Sequence, residues 1–177
     1  MRELEAKLSQ RIAAPDATAQ RPSILLIGIG NYLMGDEGIG VQFIQWLAEN
    51  NIQLPDTDIL DGGVGGFTLM GHFDAYDKVI FVDATMDQKP LGTVSLIKPR
   101  FSSDFPKGLT AHDFGLKDMV ESMYLLGRVP ELYLFTISIE KIQPMTVALS
   151  PEVENSIPVL AKEIGQLIQQ LAIPKMV

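Results

Sequence analysis

The sequence contains no cysteine and only two histidines, His72 and His112. Without cysteine there is no disulfide, no thiolate nucleophile and no thiolate metal site. Any metal must then be held by Asp, Glu, His or carbonyl oxygens. Positive charge is scarce as well: 14 Lys and Arg face 22 Asp and Glu, a formal net charge of -8 over 177 residues. An average of that sign repels a phosphate backbone and an anionic bilayer, which argues against nucleic acid and membrane as partners. No apolar run reaches the roughly 20 residues that span a bilayer. The first residues also lack the apolar segment of a secretory leader. A soluble, cytoplasmic protein is expected. The elbow G-x-S-x-G is missing, so nothing supports a serine nucleophile of that kind. What is present is a globular composition, 46% hydrophobic and 20% charged, long enough to bury a sizeable core in one domain.

The chain is organised around residues 23–46, SILLIGIGNYLMGDEGIGVQFIQW. Residues 24–27 have the length and residue types of a buried parallel strand. Gly28 and Gly30 are expected to turn the chain as it leaves the sheet. From Gly38 the pattern is helical, with Phe43, Ile44 and Leu47 on one side. Asp36 and Glu37 therefore fall between strand and helix, at the carboxyl edge where open α/β sheets bind ligands, and Glu37 is expected to be exposed there. Further strands are expected at residues 58–60, 78–84, 93–98 and 131–140, with helices at 67–73, 116–126 and from 151 onward. Ser150-Pro151 reads as a cap followed by proline at the first helical position, and Pro158 as a kink or restart. Residues 99–111 read as a loop, either a mobile arm leading to His112 or a connection that packs Phe101 and Phe105 on the body. The order β-α-β-α-β-β-α-β-α implies a three-layer α/β/α sandwich with a mostly parallel sheet. Residues 1–22 precede the first strand and are expected to form a flexible or peripheral extension, and residues 23–177 a single domain.

Two site chemistries compete. Gly28-Ile29-Gly30 opens like a dinucleotide fingerprint, and Asp61 ends the second strand where a ribose-binding acid would sit. The third glycine is replaced by Leu33, however, and Asp36 and Glu37 would repel a pyrophosphate at the helix start. The other chemistry is a metal site. Glu37 follows the first strand, Asp83 ends the third, and His112 closes the long loop. Two carboxylates and one imidazole suit a borderline divalent ion such as nickel, zinc or manganese. On residue types alone, acids at such an edge are as readily helix caps, and a single histidine as readily a surface or packing residue. His72 reads as a surface residue near a helix end.

The combination GIGNYLMGDEGIGV, ILDGG over residues 59–63, VDA over residues 82–84, AHDFGL around His112 and LSPEVE resembles the hydrogenase maturation endopeptidases. The likeness runs from about residue 23 to residue 172, in order, and leaves out residues 1–22. Each motif alone is weak and together they are specific. The resemblance implies a five-stranded sheet of the phosphorylase/hydrolase-like group. It implies an endopeptidase that removes the C-terminal peptide of a nickel–iron (NiFe) hydrogenase large-subunit precursor after nickel insertion. It also implies that Glu37, Asp83 and His112 are metal ligands that meet the nickel carried by that precursor, with no organic cofactor. Asp61 matches the DGG aspartate near the cleft, and Glu37, Asp61 and Asp83 are the candidates for a direct catalytic part. The contrasting expectation is a non-catalytic metal or nucleotide binding module on the same scaffold. A nickel chaperone would need many His or Cys residues, and two His with no Cys weigh for the enzyme.

Overall fold

In a computed structural model, residues 22–66, 69–73, 75–100, 104–105, 113–125, 127 and 129–172 are described. His112, Phe101 and nearly all of the expected N-terminal extension lie outside the described residues. Five strands form one sheet: β1 (Ile24–Ile29), β2 (Thr57–Gly63), β3 (Lys78–Thr85), β4 (Val94–Ile97) and β5 (Glu131–Ser138). Their order is β2-β1-β3-β5-β4. All pairs are parallel except β4 with β5, which is antiparallel at the edge. The single strand-to-strand step in the sequence produced that reversal, since no crossover helix lies between β3 and β4. The helices are α1 (Ile39–Glu49), α2 (Met70–Phe73), α3 (Asp113–Leu125), α4 (Pro151–Glu154) and α5 (Ile157–Ala172), with a 3₁₀ turn, Gly35–Gly38, before α1.

Strand alternation divides the core in two. Leu26, Ile80, Val82, Phe135 and Ile137 face one layer, where α1 supplies Phe43, Ile44 and Leu47 and α5 supplies Leu160, Ile164 and Ile168. Leu25, Ile27, Val79, Phe81 and Leu134 face the other, against Phe73 of α2 and Leu116, Val120 and Met123 of α3. The central strands are apolar on both faces because helices cover both. Phe105 is buried in the second half-core, so this part of the long loop packs on the body. Pro158 sits in the first turn of α5, after a break at residues 155–156, so the helix restarts there. Gly127 closes α3 at φ 73°, donating its N–H to Tyr124 O, as expected of glycine after a helix.

Two local expectations change. Gly28 does not turn the chain; it lies within β1, which continues to Ile29. A Cβ there would collide with the carbonyl of Gly40, so its bareness lets α1 approach the strand. Gly30, at φ 145°, makes the turn, and a side chain at that angle would be strained. Ser150 precedes Pro151 as expected, but its hydroxyl caps nothing in α4. Its backbone N–H is committed elsewhere, to Asp36.

Candidate active site

Parallel strands deliver their carboxyl ends to one edge, and here that edge is strongly acidic and buried. β1 hands the chain to Asn31–Met34 and the 3₁₀ turn, whose Asp36 and Glu37 are each 2% exposed. Asp83 lies one residue past Val82, the last residue of β3 that pairs with β1, and is also 2% exposed. A carboxylate loses most of its hydration at that depth, so its retention points to compensation by hydrogen bonds, charge or metal. Glu37 is thus buried rather than exposed. The chain folds back over it: Asn31 N–H donates to Glu37 Oε2 at 3.0 Å. The N–H of Ala84, beyond the reach of β1, donates to Asp83 Oδ1 at 2.7 Å.

Gly40 lets the segment that carries Glu37 rest against the strand end that carries Asp83. A Cβ on it would strike the carbonyl oxygens of both Ile29 and Val82. The first turn of α1 therefore rests on the junction between β1 and β3. Glu37 lies three residues before that contact and Asp83 one residue after it, and the 3₁₀ turn packs against β3. This is where strand order reverses, since β2 lies on one side of β1 and β3 on the other.

Alternation along β3 places Asp83 and Thr85 on the side of Val79 and Phe81, facing α3. In register with them on β5 are Thr136 and Ser138, and all four are buried. The α3 side of the sheet is thus apolar through its middle and polar at its carboxyl end. Because α3 precedes the parallel strand β5, it runs back along the sheet and begins at that same end, at Asp113. Ser138 Oγ donates to Asp87 Oδ1 at 2.7 Å, which ties down the loop after β3.

Asp61 stands apart. It lies two residues before the end of β2, on the other side of β1 from Asp83, and alternation puts it on the side of Ile59, away from α3. Loss of hydration raises its carboxyl above its ordinary value even though the residue is exposed, while the N–H of Gly63, at 3.0 Å from Oδ1, pulls it down. His72 is exposed in α2, as a surface histidine would be. Among the described residues, no group of three or more His, Asp or Glu forms a metal cluster; Glu37 and Asp83 of the expected triple are buried near the carboxyl ends of neighbouring strands, and His112 lies outside the described residues.

Residues 41–167 match the model of a family described as hydrogenase maturation protease. The chain belongs to the hydrogenase maturation proteases. Hydrogenase 2 maturation protease of Escherichia coli K12 is 34% identical over 149 residues, covering 81% of this chain and 90% of that protein. A hydrogenase expression/formation protein, HupM of Azotobacter chroococcum, is 30% identical over 89% of this chain and 78% of its own. The solved structure of hydrogenase maturating endopeptidase HybD from E. coli superposes with a TM-score of 0.75 at 28% identity, covering 86% of this chain and 94% of that one. This maturation protease is therefore a peptide hydrolase, which sets aside the non-catalytic module. The family match begins after Glu37 and includes Asp83.

The sequence did not reveal four residues that shape the acidic edge of this maturation protease. Asn31 and Ser150 act through backbone N–H groups, which any residue but proline supplies. Gln143 meets Asp36 across 107 residues of chain, a contact that no local pattern encodes. Gly40 carried the one available signal, the repeated spacing of Gly38 and Gly40, which marks a helix start pressed against backbone.

Proposed function

We propose that this protease removes the C-terminal peptide of a NiFe hydrogenase large-subunit precursor once nickel has been inserted. In this reading Glu37, Asp83 and His112 complete the shell of the nickel that the precursor carries. One observation supports it above the rest: two carboxylates, Glu37 in the turn after β1 and Asp83 near the end of the adjoining β3, are both buried at the carboxyl edge of a peptide hydrolase. His112 immediately precedes Asp113, which opens α3 at the same end of the sheet. The donor chemistry fits, since two carboxylates and an imidazole suit a borderline ion. Holding the precursor's nickel fixes the register of the scissile bond, and the ion then polarises its carbonyl or activates water. The buried carboxylates keep their orientation through the Asn31 and Ala84 N–H groups, a second layer of bonds that aims ligands. Asp61, at the same edge of the sheet and with its carboxyl raised by lost hydration, is the candidate to assist proton transfer at the rim.

The test is cleavage of purified, nickel-loaded precursor, read as loss of tail mass. Glu37→Gln, Asp83→Asn and His112→Ala are each expected to slow cleavage by about a hundredfold or more while remaining folded, since misplacing the reacting groups has that scale of effect. Wild-type rates in a folded Glu37→Gln protein would remove Glu37 from the site.

A further inference from the structure

The geometry points to Asp36 as a positioning residue for Glu37, acting through a reciprocal pair with Gln143. The inference rests on the reading of Glu37 given above. Asp36 is buried at the second position of the 3₁₀ turn. Its backbone N–H donates to Gln143 Oε1 at 2.9 Å, and Gln143 Nε2 donates back to Asp36 Oδ2 at 2.7 Å. The N–H of Ser150 donates to Asp36 Oδ1 at 2.6 Å. Both carboxylate oxygens are thus engaged from within, by the segment that follows β5.

The backbone on either side is stitched to the same segment. Gly35 N–H donates to Thr146 O at 2.7 Å, Thr146 N–H to Leu33 O at 3.1 Å and Gln143 N–H to Met34 O at 3.2 Å. Gly35 is bare where a Cβ would run into the Gln143 side chain, and its φ is 61°. The turn needs such support. It has four residues and no side-chain cap, and a run that short does not hold itself. Two bonds in opposite directions between one residue and one side chain fix rotation as well as distance. The residue whose direction that rotation sets is Glu37. Gln143 is only partly buried, so its loss admits water to Asp36 and does not empty the core.

The pair can be tested by exchange. In Gln143→Ala both bonds to Asp36 are lost. In Asp36→Asn alone, an amide N–H must face either Gln143 Nε2 or the Ser150 N–H, so a donor meets a donor. In Gln143→Glu alone, two carboxylates face each other. In D36N/Q143E the amide and the carboxylate change places: the carboxylate at 143 accepts both N–H groups of position 36, and the amide oxygen at 36 still accepts from Ser150.

The assay is steady-state cleavage of nickel-loaded precursor, with a thermal melt of each variant. Gln143→Ala is expected to melt cooperatively, with kcat lower by about tenfold or more and KM within about twofold of wild type. Each half of the exchange is expected to lower kcat similarly, and D36N/Q143E to return to within about threefold of wild type. A folded Gln143→Ala with wild-type kcat overturns the inference. So does a folded D36N/Q143E that cleaves no better than Gln143→Ala. If Asp36→Asn fails to fold, Gln143→Ala and the double variant still decide. Glu37→Gln runs alongside: if it cleaves normally, the reading of Glu37 itself falls, whereas an inactive Glu37→Gln with a normal Gln143→Ala removes only the pair.

Discussion

Asp36 and Glu37 are adjacent and equally buried, yet their carboxylates have different partners. Asp36 is engaged by Gln143 and Ser150, whereas Glu37 Oε2 accepts from the N–H of Asn31. The acidic pair was legible in the sequence as a pair at a strand–helix junction. Which member does what was not, because it depends on a residue 107 positions away. Asp61 offers a prediction on this scale. Its folded carboxyl is raised above its usual value, chiefly by lost hydration. The folded state then holds more protons than the unfolded state as pH rises from about 4 through the folded value, so Asp61 costs stability across that window and above it. Asp61→Asn, whose side-chain oxygen can still accept from Gly63, is expected to melt slightly higher than wild type at pH 7. The gain should shrink as the pH falls through the folded value and be gone below about 4. A lower melting temperature for the variant at pH 7 would contradict the assignment.

At the scale of elements, close approach of backbones decides more than side-chain chemistry. The strands and most helices were legible because long apolar runs and 3.6-residue spacing are local signals. Gly28 was misread for a physical reason. A glycine that lets a helix approach and a glycine that turns a chain look the same in sequence, and only the neighbouring Gly40 carbonyl separates them. Ser150 is the N-cap that its position before Pro151 implied, although its hydroxyl makes no capping bond and its backbone N–H holds Asp36. The glycines give a paired test. Gly40→Ala presses on two backbone carbonyls that cannot yield, and is expected to cost about 1–3 kcal/mol or more, a fall of several degrees in melting temperature. Gly165, inside α5, has nothing within 4 Å of an added Cβ. Gly165→Ala should stabilise by about 0.4–1 kcal/mol. Equal effects from the two, read in one thermal denaturation series, would contradict the close packing of α1 on β1 and β3.

For the whole molecule, a five-stranded sheet gathers the acidic carboxyl ends of β1, β2 and β3 at one edge. The same topology starts α3 there. The order of elements could be read in advance, as could the delivery of Glu37 and Asp83 to the carboxyl edge, because parallel strands alternating with helices all end on that side. The burial of Glu37 could not, since the chain from Asn31 folds back so that its N–H reaches the Glu37 carboxylate. In the proposed function, the protease contributes ligands and register while the nickel arrives with the client. The measurement that tests this most directly compares nickel-loaded with nickel-free precursor under wild-type protease, read by mass spectrometry of the client. Removal of the C-terminal peptide from the loaded precursor alone, restored to the nickel-free sample when the ion is inserted, is the result predicted. Equal cleavage of both would contradict recognition through the metal.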